Sequence, residues 1–213
     1  MHERSTITLY GALGGGSAIV EALLTLAQIP YHTEFLEWGE FDAPDSHYGK
    51  INPLREIPAI RLPDGSILTE SAAICLWVGD TMKGFPLVPA QDDPMRPQFL
   101  RWLVWLVASI YPTFTYSDHP ERFVSGEEAK NALFASVQMR REKLWRQMEN
   151  SLPFGPYALG NQLTAIDIYL SVMTRWRPRR AWFKEHCPKL FQAASYVDDI
   201  PALAPIWRAN FSS

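Results

Sequence analysis

The chain opens on a strand-like run, TITLYG, in which β-branched and aromatic residues lead from Thr6 to Gly11. After a turn of three glycines, apolar residues recur at helical spacing from Ser17, at Ile19, Val20, Leu23, Leu24, Leu26 and Ala27. The Ile29-Pro30 pair stops that helix. YHTEFLEW then alternates like a second strand, and a polar loop rich in Asp, Gly and Pro follows it to Asn52. Strand, helix, strand in that order predicts a parallel pair with a crossover helix. Two short apolar runs, PAIRL and ILTE, flank PDGS and predict a hairpin about Asp64-Gly65. SAAICLWVGDTM reads as a further helix, which completes βαβ followed by ββα within the first eighty or so residues.

The pattern changes at Lys83. Residues 83–97, KGFPLVPAQDDPMRP, are proline-rich and read as a linker between a first domain at residues 1–82 and a second at 98–213. Everything after it is helical in pattern. QFLRWLVWLVASIY is an apolar helix with aromatics, and SGEEAKNALFASVQMRREKLWRQMEN is amphipathic, with Ser125 as its expected cap and acids in its first turn. LTAIDIYLSVMTRW opens a buried helix in which Thr164 and Asp167 match a capping box, and another helix runs through PKLFQAASYVDD. The fold class expected is an α/β domain followed by an all-α domain.

Composition narrows the function classes. Hydrophobic residues make up 47% of the 213 and charged residues 20%, the balance of an ordinary globular protein. No stretch offers the roughly 18 uninterrupted apolar residues of a membrane span. MHERSTITLY carries charge but no apolar run before a small-residue cleavage site, so no secretory signal is expected and the cytoplasm is the expected location. Net charge is -3 with no long basic run, which argues against nucleic acid as a partner. Cys75 and Cys187 sit in no C-x-x-C or metal-ligand spacing, and the histidines at 2, 32, 47, 119 and 186 show no paired i, i+4 arrangement, so no metal is expected.

Two local signals carry chemistry. Glu70-Ser71 opens a helix directly after the hairpin. The unpartnered N–H groups of such an end attract a carboxylate or phosphate, or else Ser71 or Glu70 simply caps its own helix. Pro58, in EIPAI, stands at a strand start, where the missing donor is tolerated.

Taken together, the βαβ–ββα unit, NPLREIPAI, LTESAAI, the proline-rich linker and the LTAIDIYL box resemble the cytosolic glutathione S-transferase family over about residues 6 to 208. The resemblance implies a thioredoxin-like N-terminal domain, a helical C-terminal domain and a homodimer. Each subunit would bind glutathione as co-substrate on the first domain and a small hydrophobic electrophile against the second. Pro58 would follow a cis peptide bond, with the Ile57 backbone pairing with the cysteinyl part of glutathione. Glu70 and Ser71 would hold its glutamyl amine and carboxylate. Tyr111, Phe114 and Trp176 would line the electrophile pocket, with Trp102, Trp105, Tyr116, Arg175 and Arg179 as further candidates.

The pattern departs from the family at two places. Relatives put Ser or Cys in the turn after the first strand, where Gly14, Gly15 and Gly16 stand here, and Tyr10 at the strand end is not clearly superposable on a catalytic tyrosine. A thiol with a pKa near 8.5 is only a few per cent thiolate at neutral pH, and lowering that value by about two units takes roughly 2.7 kcal/mol. One hydrogen bond to a charged group supplies about 1.5–3 kcal/mol. The expectation is therefore that backbone N–H groups of the turn, at Gly15 and Gly16, hold the thiolate with help from the Ser17 hydroxyl. At the second place, Glu56 would repel the glycyl carboxylate of glutathione and Arg55 would compensate. The leading function is transfer of the glutathione thiol to an electrophile. A glutathione-dependent peroxidase or lyase on the same site, or a scaffold that has lost catalysis, are the alternatives.

Overall fold

The computed structural model describes residues 6–41, 43, 45–82 and 86–211. His2 and the first three residues of the expected linker, Lys83, Gly84 and Phe85, lie outside them. The chain divides into two compact units, Met1–Ala90 with Val197–Ser213, and Gln91–Tyr196. The amphipathic pattern of the C-terminal residues gives no sign of their return to the first unit.

In the first unit β1 (Ile7–Gly11), β2 (Tyr31–Phe35), β3 (Ala59–Arg61) and β4 (Ile67–Thr69) form one sheet in the order β2-β1-β3-β4. β2 runs parallel to β1 through the crossover helix α1 (Ser17–Leu26), and β3 lies antiparallel to both β1 and β4. Alternation along the strands sorts the two faces. Ile7, Leu9 and Ile60 pack with Val20 and Leu24 of α1 and with Ile74 and Val78 of α2 (Ser71–Thr81). Tyr10 and Ala59 point the other way and meet Phe41 and Tyr48 from the segment between β2 and β3. Burying each of the large aliphatic side chains is worth about 1.5–3 kcal/mol. This is the thioredoxin-like α/β unit expected from the sequence.

Register fixes what lies at each end of the sheet. Tyr10 stands opposite Ala59, and Ala59 opposite Thr69. β1 and β4 therefore end where β3 begins. The turn after β1, the Ile57-Pro58 pair before β3 and the Glu70-Ser71 pair after β4 all fall at that one end.

The second unit is helical. α3 (Arg96–Trp105) passes through a π-helical turn, Leu106–Ile110, into α4 (Pro112–Asp118). The sequence predicts a plain helix here, but Pro112 has no N–H to continue the ladder, and the chain widens just before it through the Tyr111 N–H to Leu106 carbonyl bond. α5 spans Glu127–Ser151 and begins one residue later than expected: Gly126, at φ 85, is the N-cap, and no side-chain cap bond is made. The Ser125 cap is thus corrected, because the entry needs a left-handed residue that glycine adopts without strain. Glu127 and Glu128 fill the first turn as expected. α6 (Ala165–Met173), α7 (Arg180–His186) and α8 (Pro188–Asp198) follow, and α9 (Ala204–Phe211) packs on α1 in the first unit.

The capping box at α6 is formed on both sides. Asp167 is fully buried, and its carboxylate accepts the Ala158 N–H at 2.7 Å, the Thr164 N–H at 2.8 Å and the Thr164 hydroxyl at 3.0 Å. Burial nonetheless pushes its carboxyl up to about 6. A raised folded-state pKa favours the protonated form, so this group's contribution is greatest below its unfolded value and is lost as pH rises through about 6. Denaturant unfolding of the wild type and Asp167→Asn should show the wild type gaining on the variant by on the order of 2 kcal/mol from pH 6.5 to pH 4. At pH 7 the variant should still be the less stable, since its amide N–H2 faces a donor.

Candidate functional site

The entry to α2 is the most unusual point of the first unit. Glu70, its N-cap, lies at φ 64, ψ 109, where side-chain-bearing residues rarely sit. No side chain caps the helix, so the reading in which Ser71 or Glu70 merely satisfies its own helix end does not hold. The first backbone donor of the helix to find an acceptor is Ile74, on the Glu70 carbonyl at 3.0 Å. Among the described residues the N–H groups of Ser71, Ala72 and Ala73 and the Ser71 hydroxyl have no acceptor, although Ser71 is 8% exposed. Such an end carries about half a positive charge.

Ile57 and Pro58 face this helix end across the register, and their peptide bond is cis, as the resemblance implies. The β3 ladder begins at Ala59, so the Ile57 N–H and carbonyl lie outside it. The preceding carbonyl, of Glu56, is held from two sides: Tyr48 Oη donates to it at 2.7 Å and Asn52 Nδ2 at 2.7 Å. Asn52 Oδ1 accepts the Leu54 N–H at 3.1 Å, so the asparagine of NPLREIP braces the loop that delivers Ile57. Tyr48 is fully buried, and burial pushes its phenol up to about 12. It is a structural donor and no proton source.

Arg55 stands at φ 57, and its guanidinium donates to the Ala43 carbonyl at 3.2 Å while lying against Gly49. These contacts tie Arg55 to Ala43 and Gly49.

The glycine turn completes the same end of the sheet. Gly14 has φ 75, a conformation in which a side chain would be strained. Its N–H donates to Asn210 Oδ1 on α9 at 3.1 Å. The Gly15 N–H returns to the Ala12 carbonyl at 3.2 Å, and a Cβ there would come within 3.1 Å of the Ile57 side chain and 3.2 Å of the Trp38 ring. The expectation for Ser17 is corrected. It is fully buried, and its hydroxyl proton goes to the Ala12 carbonyl at 2.9 Å, so it cannot donate to a ligand. Gly15 is likewise committed to Ala12. At the uncapped start of α1, the N–H groups of Gly16 and Ser17 have no acceptor among the described residues. Tyr10, 2% exposed, packs with Phe41 and Tyr48, and its phenol is pushed up by burial and then by Glu34.

The expected electrophile residues come together in the second unit. Tyr111, Phe114 and Trp176 form an edge-to-face triad, with ring centroids 5.4 Å apart for Tyr111 and Trp176 and 5.0 Å for Phe114 and Trp176. Behind it the Arg141 guanidinium lies 4.2 Å from the Phe114 centroid and donates to Thr113 Oγ1 at 2.8 Å, Ser117 Oγ at 2.8 Å and Gln138 Oε1 at 3.0 Å. Burial lowers its pKa to about 10, which leaves it a cation at neutral pH. Trp102 is a core residue, 1% exposed, packed on Trp105, and Tyr116 packs on Phe123.

Sequence reasoning missed several residues here. Trp38, 63% exposed, donates its indole N–H to the Leu13 carbonyl at 3.0 Å and forms a wall beside the turn. An aromatic in a polar loop was the available signal. Asn210 and Glu21 had none, because their meeting depends on α9 returning to α1. Among the described residues there is no cluster of metal-ligating side chains and no helix long and apolar enough to cross a membrane.

Comparison with known proteins fits this architecture. A family model for the glutathione S-transferase N-terminal domain matches residues 17–81. An uncharacterized GST-like protein of Escherichia coli K12, YncG, is 38% identical over 207 residues, 96% of this chain and 98% of that one. Among solved structures, BphK, a bacterial GST solved as a ternary complex, superposes with a TM-score of 0.73 at 27% identity, covering 95% of this chain and 98% of its own. A glutathione transferase homolog from Sulfitobacter with bound glutathione has a TM-score of 0.82 at 24% identity, covers 95% and 97%, and shares the fold. With a near full-length relative at that identity, an N-terminal domain match and a thioredoxin-like unit joined to a helical one, the chain belongs to the glutathione S-transferase family.

Proposed function

We propose that this protein binds glutathione at the exposed end of its sheet and transfers the thiol to a hydrophobic electrophile. The observation that carries the reading is the uncapped start of α2, where the Ser71–Ala73 N–H groups and the Ser71 hydroxyl converge beside a Glu70 held at φ 64. A carboxylate satisfies those donors, and the Glu70 carboxylate, exposed beside them, suits an ammonium. An α-amino acid end has both groups, as the glutamyl end of glutathione does. The unladdered Ile57 backbone then receives the cysteinyl unit as a short antiparallel pair. The solved relatives that carry glutathione support this assignment.

The thiol of a peptide so placed extends toward the start of α1. There the Gly16 and Ser17 N–H groups and the positive end of the helix favour thiolate over thiol. Activation by backbone alone suits a turn that has no hydroxyl or thiol to offer. The Tyr111–Phe114–Trp176 triad supplies apolar surface for an aromatic or aliphatic electrophile, and a homodimer is the assembly the family suggests. Ligand binding is favoured over a scaffold without a ligand because such a scaffold has no use for a strained, uncapped helix end.

Calorimetry with glutathione tests the binding step. Millimolar or tighter binding is expected, Ser71→Ala should weaken it by about 10- to 100-fold, the loss of one hydrogen bond to a charged group, and absence of heat in the wild type would refute the reading.

Ultraviolet titration of the bound thiolate tests activation. The wild-type thiol pKa should lie at least one unit below about 8.5. Ser17→Ala removes a hold on the turn but no donor, so it should raise the thiol pKa by less than about half a unit while costing about 1 kcal/mol of stability. Gly16→Pro, which fits the φ of -65 but deletes one N–H, should raise it by about one unit. An unshifted wild-type thiol would exclude backbone activation.

A further inference from the structure

The C-terminal helix reaches into the glycine turn through one side chain. Asn210 is 9% exposed, and all three of its hydrogen bonds are made within the first unit. Its Oδ1 accepts the Gly14 N–H at 3.1 Å. Its Nδ2 donates to Glu21 Oε2 on α1 at 3.0 Å and to the Ile206 carbonyl at 3.0 Å. The network permits a single orientation of the carboxamide. A carbonyl and a carboxylate accept only, and a backbone N–H donates only, so reversing the amide would break all three bonds.

That orientation bears on the turn's remaining donors. Gly14, at φ 75, is the point where the chain changes direction between β1 and α1. With its N–H drawn to Asn210 and the Gly15 N–H drawn to Ala12, the next two N–H groups, of Gly16 and Ser17, are left along the start of α1. A turn of three consecutive glycines has no side chains with which to hold itself, and the backbone freedom of glycine makes an unheld turn an ensemble. The holding groups therefore come from elsewhere: the Ser17 hydroxyl on Ala12 from within, and Asn210 from the C-terminal helix.

We propose that Asn210 is a positioning residue for the sulfur-binding turn: its carboxamide oxygen, aimed by Glu21 and the Ile206 carbonyl, fixes Gly14 so that the Gly16 and Ser17 N–H groups are aligned on the glutathione thiolate. The inference rests on the glutathione reading for the identity of the ligand and on the apoprotein geometry for the hold on the turn. Asn210 touches no reacting atom. Its effect is on the thiolate, and the glutamyl end of the ligand, bound at α2, is untouched by it. Burial raises the Glu21 carboxyl, and the bond from Asn210 opposes that rise.

The test compares Asn210→Leu, which removes acceptor and donor, with Asn210→Asp, which keeps an acceptor for Gly14 but sets a second carboxylate against Glu21. Amide hydrogen exchange of the labelled apoprotein reads Gly14 and the α9 amides separately. Gly14 exchange should rise at least tenfold in Asn210→Leu and stay within about threefold of wild type in Asn210→Asp, even though the Asp variant loosens α9 as much or more. If Gly14 exchange follows the loosening of α9 in both variants alike, the residue merely docks the helix and the proposal is overturned. With glutathione bound, Asn210→Leu should raise the thiol pKa by about one unit and lower kcat roughly three- to eightfold at pH 7, as the thiolate fraction falls, with KM for glutathione within about twofold. A KM rise with unchanged kcat and thiol pKa would equally overturn it. Should the wild type fail to bind glutathione, the functional reading falls, while the exchange comparison still decides whether Asn210 holds the turn.

Discussion

The pairing of β3 with β1 on one side and β4 on the other is the constraint on which the site depends. Because Tyr10, Ala59 and Thr69 lie in line, three interruptions of regular structure reach the same end of the sheet. A slip of one residue in either ladder would exchange core and outer faces, exposing Ile60 and burying Arg61. The register is therefore enforced by the core of Ile7, Leu9, Ile60, Ile74 and Val78, residues with no part in chemistry. What gathers at the sheet end is mostly main chain: the N–H groups of Gly16 and Ser17, the unladdered Ile57, and the first turn of α2.

A site made of backbone needs side chains elsewhere to keep it open. Glu70 and Arg55 both sit at positive φ without being glycine, at a cost of about 1–3 kcal/mol each. The surroundings hold them in place. Tyr48 and Asn52 clamp the Glu56 carbonyl, Arg55 ties down the Ala43 loop, and Asn210 and Ser17 fasten the glycine turn. Each of these groups is satisfied by a partner within the first unit. The N–H groups of Gly16, Ser17 and the first turn of α2, left without an acceptor among the described residues, are the donors on which the glutathione reading rests.

Much of this was legible in the sequence where the signal is local. The period-two and period-3.6 patterns gave β1, α1, β2, the β3–β4 hairpin and α2, and the Thr164–Asp167 box marked α6. Glu70 and Ser71 were legible as the start of α2 from their place after the hairpin, while a ligand role for them came only from the family resemblance. What was not legible depends on tertiary placement. Whether the Ser17 hydroxyl faces a ligand or the Ala12 carbonyl is decided by how α1 packs on β1, which no spacing reveals. The start of α5 turned on whether Gly126 takes a left-handed conformation, a one-residue choice that Ser125 concealed. The π turn before Pro112 leaves no periodic trace over five residues. Asn210 could not be foreseen, since its role depends on the last helix returning to the first unit.

The most direct measurement of the central claim is a crystal structure of the protein grown with glutathione. The account predicts the glutamyl carboxylate within hydrogen-bonding distance of the Ser71 N–H and hydroxyl, the cysteinyl backbone paired with Ile57, and the sulfur beside the Gly16 and Ser17 N–H groups, with the Ser17 hydroxyl still on Ala12. A tripeptide bound elsewhere, or a sulfur held by a side chain in place of the main chain, would contradict it.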